Sequence, residues 1–75
     1  MEIIFQKEWD YTFSKKNKNV FILFVLCGTI ALFELEIILN QSEINEYNNK
    51  GKEFIEYLVQ KIRDKPDDWI SRKIN

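Results

Sequence analysis

The sequence predicts an α+β domain: a three-stranded antiparallel sheet (β-β-β) packed on one long C-terminal helix, with a short tail helix after Pro66. Three observations carry that expectation. Residues 2–14 alternate between apolar and polar, the apolar run from Val20 to Phe33 has Gly28 near its centre, and beyond Leu39 the apolar residues recur at spacings of three and four. The first pattern is that of a half-buried strand, the second of a hairpin and the third of an amphipathic helix.

In "EIIFQKEWDYTFS", Ile3, Phe5, Trp9, Tyr11 and Phe13 share one parity and Glu2, Gln6, Glu8, Asp10, Thr12 and Ser14 the other. This reads as one long strand with Trp9 in the core. The polar "KKNKN" supplies the first turn, and Gly28 the freedom at positive φ that a second turn uses. The helix then carries Ile44, Tyr47, Gly51, Phe54, Ile55, Leu58 and Ile62 on one face. Asn40 or Ser42 is the candidate N-cap, and Glu43 and Glu46 suit the positive end of the helix dipole. Gly51 is expected inside this helix, where it allows close approach to the sheet. Pro66 ends the helix and opens the tail, with Asp67 and Asp68 in the first turn.

The chain has 75 residues, 45% of them hydrophobic and 31% charged. It is read as a single domain, 1–75. A domain of this size buries only about 60% of its unfolded surface. Its net charge of -1 offers no general attraction to nucleic acid. The lone Cys27 makes no internal disulfide, and no signal-peptide pattern opens the sequence, so a reducing, cytoplasmic setting is expected. A membrane span over residues 20–39 is the alternative, with "KKNKN" as its basic flank. That span must include Glu34 and Glu36, because the uncharged run from Val20 to Phe33 falls short of the roughly 20 residues needed.

Two-residue turns at Asn17-Lys18 and Gly28-Thr29 would pair Phe13 with Ile22, Tyr11 with Phe24 and Trp9 with Leu26, and would pair Phe24 with Phe33 and Ile22 with Leu35. The helix would cover that face. The opposite face would carry Phe21, Leu23 and Val25, flanked by Glu8, Asp10 and Thr12 on one side and Leu32, Glu34 and Glu36 on the other. An apolar strip between acidic margins is the pattern of a protein-binding surface or a homodimer interface. Its blander explanation is a central strand that is apolar on both sides with a solvated rim.

Other groups point less far. Asp67, Asp68 and Trp69 form a second candidate surface, although two acids beside a proline are also a common helix start. Cys27 has no histidine in the chain to serve as a base and reads as a filler residue. With no phosphate loop, no metal-ligand spacing and no candidate cofactor site, no enzymatic activity is expected.

The passage "FELEIILNQSEINEYNNKGKEFIEYLVQKIRDKPDDWISRKI" resembles the C-terminal halves of small bacterial immunity proteins of contact-dependent inhibition and polymorphic toxin systems. The resemblance lies in a strand running into a helix with Gly51, followed by Pro66 and Arg72. It implies an antitoxin that binds one cognate toxin domain, commonly a nuclease, and occludes its active site. A phage-type inhibitor or a homodimeric interaction protein would use the same face on another partner.

Overall fold

The computed structural model describes residues 2–28 and 32–74. Its strands are β1 (Glu2–Lys7), β2 (Tyr11–Asn17), β3 (Val20–Cys27) and β4 (Phe33–Ile38), forming one antiparallel meander in chain order. Two helices follow, α1 (Gln41–Lys50) and α2 (Lys52–Asp64), and then short 3₁₀ turns at Pro66–Asp68 and Ile70–Arg72. The α+β class and the antiparallel sheet are as expected. The sheet has four strands rather than three, and the long helix is two.

The extra strand arises at Glu8–Asp10. The amide of Asp10 donates to the carbonyl of Lys7 at 3.0 Å, closing a turn where continuous alternation suggested one strand. A register shift between Ile3 and Phe5 moves Ile3 to the outer face, opposite Ser14, while Phe5 pairs with Phe13 on the inner face. Trp9 lies in the turn and is 81% exposed, so the expectation that it sits in the core is wrong.

The β2–β3 turn falls at Lys18-Asn19, one residue beyond the expected position. Phe13 therefore pairs with Leu23 and Tyr11 with Val25. On the other side Val25 pairs with Leu35, Phe24 with Glu36 and Ile22 with Ile38. Cys27 and Phe33 close that ladder; Thr29, part of the expected two-residue turn, lies outside the described residues. Both shifts are odd in number. They leave β2 and β4 facing as expected and invert β3 alone, because side chains alternate faces with period two.

Phe21, Leu23 and Val25 are thus core residues, at 8%, 0% and 0% exposure, instead of the outward strip. They lie with Tyr11, Phe13, Leu35 and Ile37 against Phe54, Ile55, Leu58, Val59 and Ile62 of α2. α1 adds Ile44 and Tyr47, whose ring meets Phe13 edge-on at 4.9 Å and also reaches Phe5 and Phe21.

Asn40 is the N-cap of α1. Its Oδ1 accepts from the Glu43 amide at 2.9 Å, and Glu43 Oε1 accepts from the Asn40 amide at 2.8 Å, a reciprocal capping box. Gly51 ends α1 with φ 68° and ψ -142°, a conformation open essentially to glycine alone, and its carbonyl accepts from Phe54 to start α2. A Cβ there would meet nothing within 4 Å, so Gly51 is present for its backbone and not for close packing. Pro66 occupies the first turn of the tail as expected, but that tail is 3₁₀ in two pieces.

Residues 20–27 and 33–38 are paired strands, which removes the alternative of a helical span over residues 20–39. Among the described residues no helix is long and apolar enough to cross a membrane.

Two substitutions check this fold by urea unfolding. Leu23→Ala is expected to cost about 2–5 kcal/mol, as a fully buried leucine does, where an outward position would cost far less. Gly51→Ala is expected to cost about 1–3 kcal/mol through backbone strain, with no steric clash.

Candidate protein-binding face

No described helix packs on the outer face of the sheet. Its middle column is Ile22, Phe24 and Leu26 of β3, the residues that alternate with the buried set. Ser14 and Ile38 flank Ile22, Thr12 and Glu36 flank Phe24, and Glu34 lies opposite Leu26. Ile22 and Ser14 are buried by their neighbours, and Phe24 and Leu26 are half-buried. Ile3 at 54% and Ile38 at 42% exposure carry apolar surface outward to both edges. Glu34 and Glu36 stand on this face because Leu35 and Ile37, their alternates on β4, are fully buried.

The remaining predicted residues divide into three groups. Glu8 is exposed in the β1–β2 turn and joins Trp9, Phe24, Leu26 and Glu34 around a hollow of about 220 Å³. Asp10 has a structural task instead of lying on an open acidic margin. Its carboxylate pairs with Arg63 of α2 and, at 3.2 Å, with Lys7. Asp67, Asp68 and Trp69 are in the tail. The two acids are exposed, and Trp69 packs partly against the core with the Arg72 guanidinium 5.1 Å from its ring centre. Among the described residues no cluster of acids, cysteines or histidines has the size to hold a metal ion.

Two arginines fix the geometry, and neither stands out as a site residue in the sequence. Arg63 donates from Nη2 to the Asp10 carbonyl at 2.8 Å and from Nε to the Leu26 carbonyl at 3.1 Å, while the Leu26 amide also donates to Asp10. The turn and the end of β3 are thereby tied to α2. Arg72 makes a two-pronged bond to Glu43, at 2.9 and 2.6 Å, and donates to the Ile38 carbonyl at 2.9 Å. This joins the tail, the start of α1 and the end of β4. No local sequence pattern marks such contacts, since each partner is distant along the chain.

The titration of buried groups follows from these contacts. Burial pushes the Glu43 carboxyl up, but hydrogen bonds from Arg72 and the Asn40 amide, with the charge of Arg72, outweigh it and hold the group below its ordinary value. Tyr11 donates to Glu56 at 3.2 Å, and burial together with that carboxylate raises its pKa to about 12. Burial also raises the Cys27 thiol against a weaker pull from Arg63, which keeps the sulfur in its unreactive form.

The lowered Glu43 pKa sets a pH dependence. The unfolded chain, with an ordinary glutamate near pKa ~4.3, takes up the proton first as pH falls. The stabilisation is therefore complete above that value and is lost as pH falls through the folded-state pKa. Glu43→Gln should be less stable than the parent near neutrality, with the gap narrowing through that acid window, as read by urea midpoints at successive pH values.

Scans of the chain against protein-family models, curated proteins and solved structures each return no match.

Proposed function

We propose that the chain is a non-enzymatic antitoxin that binds a toxin domain, a nuclease in this reading, with its outer sheet face and covers the active site. The observation that carries the reading is the two-sided sheet: one face is sealed by α1 and α2, while the other presents Ile3, Phe24, Leu26 and Ile38 beside Glu34 and Glu36. Apolar surface supplies contact area, and acids favour approach to a protein whose active site is basic because it holds phosphate. The resemblance of the C-terminal half to immunity proteins names the class of partner. In this reading the chain works in the cytoplasm, as an inhibitor and not as a catalyst.

The test is co-expression with the product of the gene upstream of this one, assayed first for toxicity and then, purified, for inhibition by the chain. Rescue of growth and stoichiometric inhibition are expected. A chain that neither binds nor protects overturns the reading.

Within the complex, reversing Glu34 and Glu36 to lysine should slow association about tenfold at low salt, with a smaller change in dissociation. Stopped-flow mixing at two ionic strengths checks it, with circular dichroism confirming that the variant is folded. Unaltered association would place the interface elsewhere.

A further inference from the structure

The β1–β2 turn holds a bulky residue where bulky residues are rare. Trp9 has φ 63°, and among the described residues it is the sole non-glycine with positive φ. Glycine or asparagine would occupy that conformation with less strain. The indole recovers little by burial, being 81% exposed. The turn beneath it is nevertheless firmly held, because Arg63 grips Asp10 by both its carboxylate and its carbonyl and joins it to Leu26.

Trp9 forms one wall of the hollow of about 220 Å³ on the outer face. Thr12, Phe24 and Leu26 also line it, as do the acidic residues Glu8 and Glu34. That volume is below the range of small-molecule sites and suits a single side chain. Lys7 lies in the same lining, where its ammonium pairs with Asp10 at 3.2 Å.

We infer that this hollow receives one arginine side chain of the partner protein, stacked on the Trp9 indole and bonded to the carboxylates beside it. The inference rests on the reading of the outer face as a protein-binding surface. Phe24 and Leu26 match the methylene stem of an arginine, which packs on apolar surface while its head stays polar. The indole matches the flat guanidinium, and a carboxylate matches its fork of donors. Lysine fits less well, since its ammonium is more strongly hydrated and lacks the planar face that stacks.

The hollow can be tested without a partner. In the whole chain, labelled with nitrogen-15, N-acetyl-arginine amide should give saturable shifts at the Trp9 indole N–H and at the Leu26 and Glu34 amides. N-acetyl-citrulline amide, of the same shape without the charge, should not. Trp9→Ala should weaken the arginine response roughly threefold to thirtyfold, the range of a cation–π contact. Trp9→Gly removes the indole and relieves the positive φ, so it should weaken the response as much as Trp9→Ala does while holding or raising the thermal midpoint.

Equal response to citrulline, absence of saturation, or a response unchanged in Trp9→Ala would each overturn the inference. These outcomes are separate from the charge-reversal experiment on the complex. That experiment judges the face as a whole, and the arginine titration judges the hollow alone.

Discussion

The structure depends on the burial of one side of β3. This strand is hydrogen-bonded on both edges, to β2 and β4, so its register sets the facing of most of the sheet. Leu23 and Val25 are wholly enclosed between their strand neighbours and α2. A stable domain needs two packed layers, and this short chain supplies a single helical layer. One sheet face is therefore sealed, and the other receives no such cover from the helices. The site follows from that arithmetic of layers, since Ile22, Phe24 and Leu26 are outward wherever Phe21, Leu23 and Val25 are inward.

The helical layer reaches its place through a break and two clamps. Gly51 ends α1 before α2 begins; Tyr47 of α1 lies on the Phe5, Phe13 and Phe21 row, while the apolar stripe of α2 joins the core beside β3. The clamps are Arg63, which joins the Asp10 carboxylate to the Leu26 carbonyl, and Arg72, which joins Glu43 to the Ile38 carbonyl. Hydrogen bonds to charged groups contribute about 1.5–3 kcal/mol, a sizeable share of the stability of a domain this small. Both clamps need the guanidinium fork. A lysine could meet the acid or the carbonyl, but would not hold both in a fixed plane.

Much of this was readable in the sequence wherever the residue types differ by parity. In β4, Glu34 and Glu36 alternate with Leu35 and Ile37, and their facing is as expected. Asn40 and Pro66 announced their helix starts by chemistry that needs no tertiary information. β3 was ambiguous because both of its parities are apolar, so its facing depended on locating a turn within "KKNKN", a run that offers several equivalent places. The "EWD" turn carries no glycine, asparagine or proline and disappears into the alternation around it. Gly51 falls on the same helical stripe as Tyr47 and Phe54, which hides the break. Asp10 and Trp9 exchanged roles for one reason: the turn turns the acid toward Arg63 and sends the indole outward.

In the proposed function the partner meets the face of the sheet and not its edges, and the edges are arranged accordingly. An unpaired edge invites strand addition, and small sheets commonly protect it. Here β1 is irregular between Ile3 and Phe5, which interrupts a regular ladder. On the β4 side, the Glu36 carbonyl accepts the Ile74 amide and the Ile38 carbonyl accepts Arg72. The chain thus spends backbone bonds on closing its edges while leaving apolar side chains on its face and holding an indole at an unfavourable φ. Strain of this kind costs about 1–3 kcal/mol and persists where surrounding structure enforces it. Arg63 supplies that enforcement at the turn, through the same bonds that tie the end of β3 to α2.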